Sequence, residues 1–149
     1  MPNPVFEFFK SQIGREVTAA APPFTQWLRG TFRKVEEGSM TMEFVVRHEM
    51  LNPAGLLHGG VQNAMIDDVM GMTVAALGAE TTFVSLNLAV DHLGKSREGD
   101  RVLATSRVVR RGKTVINIEC DLTDPEGKLL ARGTANYIRT ELPAFSPRG

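Results

Sequence analysis

The 149 residues carry 17 Lys+Arg against 17 Asp+Glu, a formal net charge of zero, with 42% hydrophobic and 23% charged residues. That length favours one domain, and the composition is too apolar for a disordered chain and too balanced for a general nucleic-acid binder. A single cysteine, Cys120, excludes an internal disulfide and leaves no Cys/His cluster to hold zinc.

Residues 1–10 lack the basic-then-apolar pattern of a secretion signal, and the longest uncharged apolar run, 69–79, is too short to span a bilayer. The expectation is a cytoplasmic protein that neither enters a membrane nor binds nucleic acid. Phe6, Phe8, Phe9 and Ile13 predict a short N-terminal helix, interrupted by a linker or turn at Ala19-Ala20-Ala21-Pro22-Pro23. Alternation of Met40, Met42, Phe44 and Val46 with Thr41, Glu43 and Val45, after the turn residues Glu37-Gly38, predicts a hairpin within 30–46.

After the Asn52-Pro53-Ala54-Gly55 break, residues 59–79 contain Ala, Met, Val, Ile and Leu throughout and no proline. Apolar residues surround most of this cylinder, which predicts a buried helix, with Gly78 as its stop. Period-two patterning then predicts strands at 82–93, 101–110, 114–123 and 128–140, read as a four-strand meander. One all-round apolar helix and an antiparallel sheet make an α+β protein in which the sheet curls around the helix. The domain reading is an N-terminal helical segment and linker over 1–29, the main domain over 30–141 and a flexible tail over 142–149.

Two features carry chemistry. Gly59 and Gly60 open the long helix, where unpaired N–H groups and the positive end of the dipole lie; they fit a tight helix start or an oxyanion site. Asp67 and Asp68 sit mid-helix among apolar residues, either on a solvated edge or in a site, since burial of an unpartnered carboxylate costs several kcal/mol. The two point about 100° apart, so at most one is expected in any one site. His58 reads as a cap, a core residue or a catalyst. No metal is expected, because His48, His58 and His92 form no close ligand pair, and Ser85 is not in a G-x-S-x-G elbow. Between residues 92 and 114 there are seven basic residues (Lys95, Arg97, Arg101, Arg107, Arg110, Arg111, Lys113) and two acidic ones. That excess suits a solvated strand face or a phosphate-bearing ligand.

The stretch Asn52, His58, Gly59, Gly60 and Asp67, followed by Ser85 in the next strand, resembles the PaaI-like branch of the hotdog-fold acyl-CoA thioesterases, of the 4-hydroxybenzoyl-CoA thioesterase superfamily. The layout matches over roughly 110 residues, to about Tyr137. The resemblance implies a hotdog fold, a curved antiparallel sheet around one long helix, assembled as a homodimer at least and a homotetramer by pairing of dimers. It implies hydrolysis of an aryl-acyl or medium-chain acyl-CoA with no cofactor, coenzyme A being part of the substrate. The Gly59 amide is the expected oxyanion donor and Asp67 the base or nucleophile. Ser85 is expected to position water or Asp67, and Asn52 and His58 to orient the helix start.

Gly59 and Asp67 are about 12 Å apart along one helix, so the family's arrangement supplies them from opposite subunits. Gly60, Lys95, Arg97, Arg110, Arg111 and Lys113 are the expected coenzyme A contacts. Where the family often has Pro-Ala before Gly99-Asp100, this chain reads Lys95-Ser96, which predicts a more mobile, more charged loop. A non-catalytic acyl-CoA-binding hotdog module is the competing reading.

Overall fold

The computed structural model describes residues 2–146. It begins with helix α1, Pro4–Ser11, where Asn3 caps by accepting from the Phe6 N–H at 3.1 Å and Pro4 supplies a preset first turn. A second helix, α2 (Pro23–Leu28), occupies the place expected to be part of the linker. The proline run that breaks periodicity also starts this helix, because Pro23 is at its first position. Arg47 caps its far end, donating to Leu28 O at 3.2 Å and to Trp27 O, with its guanidinium 5.0 Å above the Trp27 ring.

The hairpin is β1 (Thr31–Glu36) and β2 (Ser39–Val45), and the long helix is α3 (Gly59–Ala75). Four strands follow: β3 (Thr81–His92), β4 (Arg101–Arg111), β5 (Val115–Thr123) and β6 (Leu129–Pro143). Helix α3 buries Met65, Ile66, Val69, Met70, Thr73 and Val74 against the sheet, and Gly78 just beyond it adopts φ 73°. Alternate residues of β5 (Ile116, Ile118, Cys120 and Leu122) face that helix.

All six strands form one antiparallel sheet in the order β1-β2-β4-β5-β6-β3. The expected four-strand meander is therefore a three-strand one, β4-β5-β6. Tight turns place β5 and β6 on one side of β4, and β2 takes the other side in register from Ser39↔Arg107 to Val45↔Arg101. Residues 14–17 lie along the outer side of β1, with Glu16 bridged to Thr31, which leaves the edge beyond β6 for β3. Residues 93–100 connect β3 to β4, and the loop is held by hydrogen bonds along its length: the N–H groups of Leu93 and Gly94 donate to Leu130 O at 2.8 and 2.9 Å. Ser96 is 5% exposed and its carbonyl accepts from Leu57 N–H at 2.8 Å, while Arg97 N–H donates to Asp100 Oδ2 at 2.8 Å.

At the C-terminus β6 runs through Pro143, and the Phe145 ring stacks on Phe9 with centroids 5.7 Å apart. Of the tail expected to be flexible, residues 142–146 are thus strand end and packed chain, and residues 147–149 lie outside the described residues. No helix among the described residues is long and apolar enough to cross a membrane.

Candidate active site

The loop before α3 is held by its own side chains. Asn52 Oδ1 accepts from the N–H groups of Ala54 and Leu56 at 2.9 and 3.1 Å, closing a local turn. His58 is the N-cap of α3: its Nδ1 accepts from Gly60 N–H at 2.8 Å, and its backbone N–H reaches Met50 O at 2.9 Å. Asn52 and His58 therefore shape the helix start. The Gly60 amide is consumed by the cap and is no free ligand donor. The Gly59 amide has no partner among the described residues, which leaves it as the unpaired donor of a half-buried helix terminus.

His92 stands beside that amide. A Cβ at Gly59 would lie 3.4 Å from the His92 ring. Gln62 Nε2 donates to Leu57 O at 3.1 Å, so Gln62 Oε1, 3.0 Å from His92 Nδ1, must accept. The proton is thereby placed on Nδ1 and the ring turns Nε2 toward Gly59.

Two turns along the helix, Asp67 Oδ1 accepts from the Tyr137 phenol at 3.0 Å; the same hydroxyl lies 3.2 Å from Asp67 O. Burial, followed by the charge of Asp67, drives the Tyr137 hydroxyl well above the usual range, so it remains a donor. Asp68 accepts from the Thr25 hydroxyl of α2 at 2.9 Å. Burial is the main cause that pushes its carboxyl up to about 6, opposed by the Thr25 hydrogen bond and aided by the Asp67 charge.

Both carboxylates line one cavity of about 330 Å³, contrary to the expectation of one at most. The reason is its width. It extends across the helix from β6, which carries Tyr137, to α2, which carries Thr25. Its remaining wall is mostly apolar, with Phe8, Phe9, Phe32, Met72, Ala75 and Phe145.

Ser85 is exposed on β3, directly opposite Tyr137 in register, and its hydroxyl makes no hydrogen bond among the described residues. The register shifts between Ser85 and Asn87, so Leu86 is an extra residue, a bulge beside the site. Sequence reasoning missed Tyr137, Thr25 and His92. For Tyr137 a signal existed, since a tyrosine at an inward strand position needs an acceptor for its hydroxyl.

The structure separates the expected coenzyme A cations. Lys95 and Arg97 precede β4, near the start of α3, whereas Arg110, Arg111 and Lys113 lie at or just past the end of β4. Eleven strand residues put these ends roughly 30 Å apart. Arg111 reaches Leu77 O at 3.4 Å, beyond the other end of α3. Within one subunit the two groups cannot hold the same phosphate. Arg111 and Lys113 instead share a second cavity of about 230 Å³ with Arg139 and Glu80. Among the described residues no group of three His, Cys, Asp or Glu side chains converges as a metal site.

A family model described as the thioesterase superfamily matches residues 54–131. Human acyl-coenzyme A thioesterase 13 is 29% identical over 97 residues, covering 64% of this chain and 69% of the relative. Among solved structures, the phenylacetic acid degradation-related protein of Ralstonia eutropha is 34% identical with a TM-score of 0.72, covering 79% of this chain and 90% of that one. The PaaI protein of Escherichia coli, at 20% identity and TM-score 0.74, covers 79% of this chain and 84% of its own and shares the fold. The chain belongs to the thioesterase superfamily and is a PaaI-like hotdog thioester hydrolase.

Proposed function

We propose that this protein hydrolyses acyl-CoA thioesters to free acid and coenzyme A, with the Gly59 amide of one subunit and Asp67 of its partner on either side of the thioester. The observation that carries the assignment is Asp67 on the wall of the cavity with one carboxylate oxygen fixed by Tyr137. Its other oxygen has no protein partner among the described residues and is free to take a proton.

In this reading Asp67 Oδ2 removes a proton from water as the water oxygen bonds to the thioester carbon. The carbonyl oxygen gathers negative charge toward the Gly59 N–H, where the helix dipole and the unpaired donor stabilise it. The C–S bond then breaks and the departing sulfur takes up the proton. Ser85, beside Tyr137 in the sheet, positions the water. Coenzyme A phosphates meet basic residues at the rim, and the 30 Å separation divides the candidates into Lys95/Arg97 and Arg110/Arg111/Lys113 as alternative anchors.

A dimer through β3 is part of the proposal. This strand is the free edge of the sheet beside Ser85, and Leu86 on it is 59% exposed. Names of relatives support the substrate class: human acyl-coenzyme A thioesterase 13, and a Streptococcus pneumoniae thioesterase structure with coenzyme A, TM-score 0.72 at 24% identity, covering 78% of this chain and 91% of its own.

The test is thiol release from aromatic and aliphatic acyl-CoA thioesters by the wild type and Asp67→Asn. Loss of turnover with acyl-CoA binding retained is the expected result; turnover at the wild-type rate in the variant would overturn the assignment of Asp67. Cys120 is buried and burial drives its thiol well above the usual range, so the native protein adds little background to a thiol assay.

A further inference from the structure

The matched family segment begins at residue 54, yet residues far before it enclose the cavity that Asp67 faces. Helix α1 contributes Phe8 and Phe9, and α2 contributes Thr25, which ties it to Asp68. Asn3 Nδ2 fastens the start of α1 to Ala76 O at 2.9 Å, just past the end of α3. The opposite wall is a face of α3: Asp67, Asp68, Gly71, Met72 and Ala75 recur at helical spacing. Along it the carboxylates come first and the apolar residues follow, Ala75 lying about 12 Å beyond Asp67.

The cavity is therefore polar at the end where the thioester is cleaved and apolar beyond. Its volume of about 330 Å³ is near the lower end of the ~300–1,000 Å³ usual for ligand pockets. Among the described residues no Lys, Arg or His lines it, whereas two carboxylates do.

We infer that this cavity receives the acyl group of the thioester and that the N-terminal helices α1 and α2 set the size of group accepted. The class is a compact, uncharged acyl group, a single ring or a short to medium chain, with its tail toward Phe8, Met72 and Ala75. An acyl group ending in a carboxylate is rejected, because its charge would be buried at the apolar end among Phe8, Met72 and Ala75, with no cation among the described residues to offset it. The inference rests on Asp67 as the reacting carboxylate.

The test uses the full chain and two opposed variants. Phe8→Ala enlarges the far end of the cavity, and Ala75→Phe fills it. The kcat/KM is measured for acetyl-, hexanoyl-, dodecanoyl-, phenylacetyl- and adipoyl-CoA, with unfolding temperature and oligomeric state recorded for each variant. Ala75→Phe is expected to lower the hexanoyl-to-acetyl ratio at least about tenfold, and Phe8→Ala to move the optimum toward dodecanoyl. Adipoyl-CoA, which matches hexanoyl in length but ends in a carboxylate, is expected to be at least about tenfold poorer than hexanoyl in the wild type.

Folded variants that scale all substrates equally would overturn the inference, as would equal use of adipoyl and hexanoyl. Met72→Phe replaces Ala75→Phe if the latter does not fold. Acyl-CoA affinity is also measured in Asp67→Asn with and without Ala75→Phe. If Asp67→Asn turns over normally, the catalytic assignment fails by itself. If acyl length changes affinity equally with and without the filler, the cavity assignment fails by itself.

Discussion

Asp68 carries the least favourable charge in the cavity, and its cost has a defined pH dependence. Burial raises its carboxyl from 3.8 to about 6, so the unfolded chain loses this proton near pH 4 while the folded chain keeps it until about pH 6. The folded state binds more protons in that window, and stability falls as pH rises through it. Above it the reduction is constant, on the order of 2–3 kcal/mol. Asp68→Asn, which keeps an acceptor for Thr25, is expected to raise the unfolding temperature at pH 8 and to change it little near pH 4. Equal shifts at both pH values would contradict a buried charge. Turnover should suffer far less than in Asp67→Asn. Removing the phenol that holds Asp67, by Tyr137→Phe, should lower kcat roughly fivefold with KM little changed, the order of one hydrogen bond of about 1 kcal/mol. A KM effect alone would place Tyr137 in binding rather than in orienting Asp67. At this scale the reading from sequence went as far as local pattern allows. Gly59 and Asp67 stand out because glycines open an apolar helix and a carboxylate interrupts it. Tyr137 reaches Asp67 from 70 residues away in the chain, Thr25 reaches Asp68 from 43, and His92 stands beside Gly59 from 33, a proximity that only the fold creates.

Among the elements, α3 and the three strands β4, β5 and β6 were legible because periodicity and short turns are local properties. The position of β3 was not. Its neighbour is decided by which sheet edge the hairpin and the β4–β6 meander leave open, a competition between distant segments. Helix α2 was hidden for a different reason: six residues that begin with the second proline of a pair have too little periodicity, and the helix owes its place to Arg47 at its C-terminus and to Thr25 on Asp68. Breaking that second link tests it. Thr25→Val is nearly isosteric, removes the hydroxyl and leaves Asp68 without its donor. The expected loss is on the order of 1–3 kcal/mol at pH 8, read by denaturant unfolding, and less near pH 4, where Asp68 is protonated. No loss at either pH would mean that α2 docks by its apolar contacts alone.

For the whole molecule the decisive question is whether a site is made by one chain or two. Gly59→Pro offers a clean way to remove the amide, because proline is favoured at a first helical position and His58 before it has φ -62° and ψ 136°, which proline tolerates. Turnover should fall about 10²–10³-fold with the helix retained. Each variant alone is then nearly inactive, and mixing Gly59→Pro with Asp67→Asn chains after dissociation and reassembly is diagnostic. A mixed dimer pairs an intact Gly59 with an intact Asp67 at one of its two sites, so random mixing should restore about a quarter of wild-type activity. Absence of recovery in a verified mixed dimer would place both groups in one subunit. The sequence spacing of Gly59 and Asp67 was enough to pose this question, whereas the roughly 30 Å between the two cationic groups emerged only once β4 was seen to run the length of the sheet.

The distribution of sulfur has a consequence for oxidative damage. Met40, Met42, Met50, Met65 and Met70 are sealed in the core, and Cys120 with them, while Met72 is only half-buried and faces the cavity. Among the described methionines, peroxide reaching the folded protein meets Met72 first, and its sulfoxide would turn part of an apolar wall polar. Such a lesson in vulnerability is local: the fold survives while the catalyst loses its grip on apolar substrates, and a methionine sulfoxide reductase able to reach the cavity would restore it.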